Sequence, residues 1–212
     1  MKKIPDISFK KNVKINGFEI IKLNDLFQRD KTHLNHDPRK AHKLNFFSII
    51  VIKSAYVEHF VDFKKYTVYE NHCIIISKGQ VHSFDKHRDY DGYMIMFTEA
   101  FLLKYFPKST ISKITRLYDY HLNSPVFKND PELQKYIQIL NEEEQSNLEF
   151  AKSEIIAALL SVYLLKLETL NSNNMQKLDY GRSYELFEKF KQSVTANYAN
   201  SRSALSYANE LY

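Results

Sequence analysis

Between His42 and Phe97 the chain alternates short apolar bursts with turn residues. Leu44-Asn45-Phe46-Phe47-Ser48-Ile49-Ile50-Val51-Ile52 is the first burst. Val57, His59, Val61 and Phe63 then alternate with Glu58, Phe60 and Asp62, the period of two expected of a half-buried strand. Cys73-Ile74-Ile75-Ile76 stops at Lys78-Gly79-Gln80, and Val81-His82-Ser83-Phe84 follows. A charged tip from Asp85 to Asp91 leads into Gly92-Tyr93-Met94-Ile95-Met96-Phe97. Strands this short and this evenly spaced predict a sandwich or barrel rather than a parallel sheet. A small barrel is either packed shut or just wide enough for one small ligand. Upstream, Ile15, Phe18, Ile20 and Leu23 alternate weakly with polar residues, which predicts one or two edge strands. Asp25 to Asp30 reads as a helical turn, and residues 33–42 as a polar loop.

After Phe97 the period changes. Thr98 is placed to cap a helix from Glu99 to Tyr105, stopped by Phe106-Pro107. Ile111, Ile114, Leu117 and Tyr118 predict another short helix. Asp130 is a good N-cap with Pro131 at the first helical position, and Leu133, Ile137 and Leu140 recur at helical spacing behind them. From about Leu148 to Leu170, Ile156, Leu159, Tyr163, Leu167 and Leu170 form one stripe, with Ile155, Val162 and Leu165 beside it. One apolar stripe suffices to cover a sheet, so two imply a second neighbour: the preceding helix or another copy of the chain. Asn171-Ser172-Asn173-Asn174-Met175 reads as a linker. Beyond it, Phe187, Phe190, Val194 and Tyr198 mark one helix face. Ser203 is a candidate cap for a last helix carrying Leu205, Ala208 and Leu211. That last helix lacks a following partner to pack on, so 183–212 is expected to open a second domain whose remainder lies outside these 212 residues.

Composition narrows the class. A hydrophobic share of 44% with 26% charged residues is that of an ordinary globular protein. The N-terminus has lysines but no apolar stretch behind them, and the longest uncharged apolar run, Ile155 to Leu165, is shorter than the ~20 residues a spanning helix needs. The expected location is cytoplasmic, with no membrane partner. The one cysteine, Cys73, excludes an internal disulfide and, within its apolar run, is expected to be buried and inert. The net charge of +5 is uneven: residues 1–130 carry 22 basic and 14 acidic side chains, whereas residues 131–170 carry 3 and 7. A positive front half suits an anionic ligand or nucleic acid, or is simply a solvated lysine-rich surface.

Four segments, in this order, resemble the sensory domain of the AraC family of bacterial transcription regulators: Ala41-His42-Lys43-Leu44-Asn45-Phe46-Phe47, His59-Phe60-Val61-Asp62-Phe63, Ile76-Ser77-Lys78-Gly79-Gln80-Val81-His82, and Gly92 to Phe97. Phe187 to Leu211, with Arg202-Ser203 and Tyr207-Ala208-Asn209-Glu210-Leu211, is similar to the first helix of that family's DNA-binding domain and the opening of its first helix-turn-helix. Lys78 stands where the family usually has proline, and the recognition helix and second helix-turn-helix are absent from the sequence. The resemblance implies an α+β chain. A cupin-like β-barrel or sandwich (1–105) would be followed by an α-helical dimerisation region (106–170), a linker (171–182) and the first helices of a truncated helix-turn-helix domain (183–212). It also implies a ligand-responsive regulator with three partners: a small-molecule effector, a second copy in a homodimer and, in the intact protein, DNA.

The candidate ligand-binding residues are His42 and His82, with Phe47, Phe63 and Tyr93 as apolar wall. Each histidine can instead hydrogen-bond neighbouring backbone, and each aromatic can serve as core. Ile156, Leu159, Tyr163 and Leu167 are the expected dimerisation stripe. Arg202 and Ser203, at the start of the last helix, are the expected contacts to a DNA backbone, since helix N-termini favour phosphate. The rival readings are a metal-dependent cupin enzyme and a ligand-independent scaffold with a closed barrel. The enzyme would need His-x-His and a glutamate before a later histidine, and only His82 has a counterpart here. No catalytic residue, metal or cofactor is expected, and four glycines supply neither a phosphate loop nor a nucleophile elbow.

Overall fold

The computed structural model describes residues 4–10, 13–28, 36–54, 56–87, 89–120, 123–147, 149–175, 186, 189–190, 193–194, 197 and 203–211. The chain forms two compact units, Met1–Asn171 and Ser172–Tyr212.

Among the described residues of the first unit, ten strands make two five-stranded sheets. Sheet A contains β1 (Asp6–Ile7), β3 (His42–Leu44), β8 (Val81–Phe84), β5 (Tyr56–Val61) and β6 (Lys64–Tyr69), in that spatial order. Sheet B contains β10 (Val126–Lys128), β7 (His72–Ile76), β4 (Phe47–Ile52), β9 (Gly92–Phe97) and β2 (Phe18–Lys22). All pairs are antiparallel except β1–β3. The two sheets do not join through their edge strands, so this is a sandwich and not the closed barrel that the sequence left open.

The first apolar burst is really two strands. β3 lies in sheet A and β4 in sheet B, and the chain crosses between them at Asn45-Phe46. Asn45 secures the crossing: its backbone N–H donates to Ile7 O (3.1 Å), and its side-chain oxygen accepts from Phe9 N (3.2 Å). Gly92 starts β9 at a point where a Cβ would meet Val51 O at 1.9 Å, so only glycine lets β9 lie this close to β4.

Period-two alternation sorts sheet B into two faces. Ile21, Ile50, Ile52, Ile74, Ile76, Met94 and Met96 face inward and share one buried core with Leu44, Val57, Val61 and Phe84 of sheet A. Phe18, Ile20, Ile49, Val51, Cys73, Ile75, Ile95 and Phe97 face outward into a second core.

Helices cover that outer face. They are α2 (Glu99–Tyr105), α3 (Lys108–Ile114) with a 3-10 turn (Thr115–Tyr118), α4 (Pro131–Gln145) and α5 (Lys152–Met175); α1 (Leu23–Gln28) follows β2. Both predicted caps form. Thr98 accepts from Phe101 N (3.1 Å), and Asp130 accepts from Glu132 N (2.8 Å) with Pro131 leading α4.

The stripe expected to pair subunits is instead interior. Ile156, Tyr163 and Leu167 are buried in this chain's own helix–sheet core, and Leu159 packs on its margin. α5 is an element that closes sheet B, and each fully buried side chain of this size stabilises by about 1.5–3 kcal/mol. α5 also continues to Met175, through residues that read as linker. No helix among the described residues is long and apolar enough to cross a membrane. In the second unit, α6 (Ala204–Leu211) forms where the last helix was expected. Tyr207 is buried, edge-on to Phe190 (6.0 Å), whereas Leu205 is exposed.

Candidate functional site

Three neighbouring strands of sheet A each place a histidine in the sandwich interior. His42 on β3 lies directly opposite His82 on β8, and His82 pairs in turn with Val61 of β5, two residues from His59. All three are buried. The rings form a chain: His36 to His42 at 4.5 Å between centroids, His42 to His82 at 4.3 Å, and His82 to His59 at 5.3 Å. His59 Nε2 and His82 Nδ1 are 3.2 Å apart and share one proton in a hydrogen bond. His42 Nδ1 lies 2.8 Å from Lys40 O. A carbonyl only accepts, so Nδ1 carries the proton and Nε2 is the bare acceptor.

Burial governs the ionisation of this chain. It pulls His36 down to about 4, helped by His42 and Lys10 and opposed by Asp37. It lowers His42 against the raising effects of the Lys40 carbonyl and Asp37. It takes His59 down to about 3 and His82 well below the ordinary range, each with a further push from neighbouring histidines. At neutral pH all four rings are therefore neutral. His59 Nδ1 and His82 Nε2 are buried with no hydrogen-bond partner, as is Ser48 Oγ on β4. An unpartnered buried polar group costs about 1–3 kcal/mol, which marks this interior as more polar than its packing needs.

His36 and His42 line one end of a cavity of about 340 Å³ between the sheets. Ile21, Leu26, Leu44, Phe46, Phe84, Met94 and Met96 make its apolar wall, with Ile7 and Phe9 contributed by the N-terminal segment. Asp6, Ser8, Lys10, Glu19 and Pro38 complete the lining. Asp6 is paired with Lys43 at 3.4 Å. The arrangement suits a compact molecule with an apolar body and one polar end.

Of the expected ligand-binding residues, His42 lines this cavity and His82 stands behind it. Phe47 and Tyr93 do not reach it. Both sit on the outward phase of their strands, where Phe47 packs on Phe97 (5.7 Å) and Tyr118 (4.7 Å), and Tyr93 takes Lys53 over its ring (5.0 Å). Phe63 is 72% exposed. Asp62 and Phe63 both have positive φ, 48° and 65°, so the apparent period of two ends at Val61 and Phe63 occupies the β5–β6 turn. Asp62 pins that turn by accepting from Gln80 Nε2 (2.9 Å) and Val81 N (3.1 Å). Ser203 is exposed at the start of α6, and Arg202 lies outside the described residues.

Two site residues escaped the sequence reading. His59 was visible in the alternation Val57–His59–Val61, which puts it on the buried face. His36 carried no signal, because it comes from a polar loop. Among the described residues no group of three His, Cys, Asp or Glu side chains is placed to hold a metal ion. Cys73 is buried, and burial pushes its thiol up to about 12, as expected of an inert cysteine.

No family model and no curated protein matches the chain. Among solved structures it is similar to ToxT from Vibrio cholerae, with a TM-score of 0.42 and 13% identity over 92% of this chain and 71% of that one. It is also similar to the AraC-like transcriptional activator CuxR, with a TM-score of 0.41 and 11% identity over 93% of this chain and 64% of that one. ToxT with a bound unsaturated fatty acid gives a TM-score of 0.39 and 9% identity over 92% and 67%. At such distances, what the present chain does rests on its own residues.

Proposed function

We propose that the chain is the effector-sensing and dimer-forming part of a ligand-responsive transcription regulator. The observation that carries the reading is the 340 Å³ cavity between the sheets, with a largely apolar wall and with His36 and His42 in its lining. A scaffold without a ligand would fill that space with its own side chains. The four AraC-like segments support the regulatory role, and in this reading residues 183–212 begin the DNA-binding domain of the intact protein. ToxT, one of the neighbours, has an unsaturated fatty acid bound in one of its structures; the cavity here is suited to some small molecule with an apolar body.

Two copies pair in this reading through the face of α5 that the core leaves free. Ile155 and Val162 are each 40% exposed, Ala158 lies between them, and Leu159 and Leu165 flank them. Antiparallel pairing of α5 with its copy, centred near Leu160, sets Glu154 opposite Lys166 and keeps the apolar positions in register.

Thermal unfolding across a metabolite panel tests the sensor reading, using wild type and Met94→Trp, whose larger side chain fills the cavity. An effector at a hundred times its Kd stabilises wild type by about 2.7 kcal/mol and leaves the filled variant unshifted. Equal shifts in both proteins would remove the cavity from the account.

A further inference from the structure

The fixed charges around the cavity cancel. Asp6 and Glu19 are the acidic lining groups, Lys10 is the basic one, and Lys43 pairs with Asp6 at 3.4 Å. The four histidines beside it are neutral at pH 7 for the reasons given above. The cavity therefore has no net positive charge to neutralise an acid, since Lys10 is offset by the acidic groups, but it has a group ready to acquire one. His42 Nε2 is a bare lone pair, because Nδ1–H is committed to Lys40 O at 2.8 Å. On protonation Nε2 becomes a donor, and His42 then holds its proton between a fixed carbonyl and whatever occupies the cavity.

We infer that the polar end of the cavity is an anion subsite that loads a proton together with its ligand: an organic acid with a compact apolar body binds there as the carboxylate while the His36–His42 pair takes up one proton. This rests on the cavity being the effector site. One proton is the limit because the two rings are 4.5 Å apart and a second charge would be repelled. His82 and His59 are positioning residues in this scheme. The His82 ring packs tilted against His42 at 4.3 Å and is itself held by His59 at 3.2 Å, so the pair keeps His42 in place without joining the charge. The groups facing the loaded pair are Lys10, which opposes protonation, Asp37, which favours it, and Asp6 and Glu19 on the cavity wall.

The sign of the linkage follows. The carboxylate raises the histidine above its free value, so binding takes up a proton between the free and the bound pKa. Affinity for the acid then falls as pH rises through the bound value, by at most about tenfold per pH unit.

The test is calorimetry on the full 212-residue chain with two probes of one shape, 4-phenylbutyrate and 4-phenyl-1-butanol, in buffers of different ionisation enthalpy. The acid is expected to bind with uptake of a fraction of a proton up to one, and to weaken between pH 6 and pH 8. The alcohol is expected to bind with no proton exchanged and no pH dependence. His42→Gln should lower the acid-to-alcohol affinity ratio at least tenfold and cut the proton uptake, with thermal unfolding as the check on its fold; His36→Gln is the second variant. Equal binding of both probes with no uptake would overturn the inference and leave the cavity reading standing. Uptake that persists in both variants would put the proton on the ligand's own carboxyl, and also overturn it. Failure of both probes to bind would overturn the inference, whereas the cavity reading stands or falls on the metabolite panel with Met94→Trp.

Discussion

The two faces of sheet B are built from the same alternating strands and end up with opposite properties. The outer face meets α2 to α5, whose Leu, Ile, Phe and Tyr side chains interleave with Phe18, Ile49, Ile75 and Phe97 in one contiguous core. The inner face meets another sheet. Two sheets stand about 10 Å apart, so side chains must reach the midplane from both sides, and wherever they are short or polar a space opens. Here the space opens beside the histidines, and Met94 and Met96 border it. A helix layer can slide and turn to close gaps, whereas a sheet is held by its hydrogen-bond ladder. Stability therefore resides mainly on one side of sheet B and the candidate chemistry on the other.

The largest test of this contrast is a pair of truncations on opposite faces. Ile49→Ala on the outer face should cost about 2–5 kcal/mol in chemical denaturation, because its neighbours are packed on all sides. Met94→Ala on the inner face should fall at the low end of that range, about 2 kcal/mol, because its side chain already borders open space. Equal losses would mean that the two cores are packed alike.

Acid sharpens the same contrast. His59 is depressed to about 3 in the folded chain against an ordinary 6.5, so the unfolded chain binds more protons across that interval. Its contribution is complete above pH 6.5 and is lost as pH falls toward the folded value. Stability should drop by roughly 1–3 kcal/mol between pH 6.5 and pH 4.5. Removing the pair, with His59→Leu and His82→Leu together, should flatten that dependence, read as Tm against pH. At neutral pH the single change His59→Leu should cost about 1–3 kcal/mol by orphaning His82 Nδ1, while the double change is close to neutral.

Smaller still is the effect at the β5–β6 tip, outside both cores. Phe63 is exposed at φ 65°, where a bulky side chain is strained. Phe63→Gly should raise stability by about 0.5–1 kcal/mol, and a lower Tm would mean that the ring makes a contact of its own. At the free face of α5, Val162→Glu should change stability by less than about 0.5 kcal/mol yet convert a dimer to a monomer in light scattering. A wild-type monomer at micromolar concentration would remove the α5 pairing.

The sequence by itself determined what is local. Alternation specified the strands and the buried phase of Val57, His59 and Val61. Thr98 and Asp130-Pro131 specified where α2 and α4 begin, because a cap is an interaction between residues two or three apart. Cys73, inside an unbroken apolar run, was legible as buried. What the sequence did not determine is which face of which layer each element meets. Phe47 and Tyr93 were legible as apolar but not as outward, because phase along a strand names no neighbour. Tyr163 and Ile156 were legible as a stripe but not as an interior one, since a helix facing its own sheet and a helix facing another copy need the same side chains. β6 and β10 passed unnoticed: β6 buries only Val68, and β10 is three residues long, so neither has a period to detect. The histidine chain is the clearest case. His36, His42, His59 and His82 are spread over 47 positions of sequence; the pairing of β3, β8 and β5 brings the rings of the last three together, and the loop before β3 adds His36. Burial, which exists only once the sheets have closed, then strips them of charge.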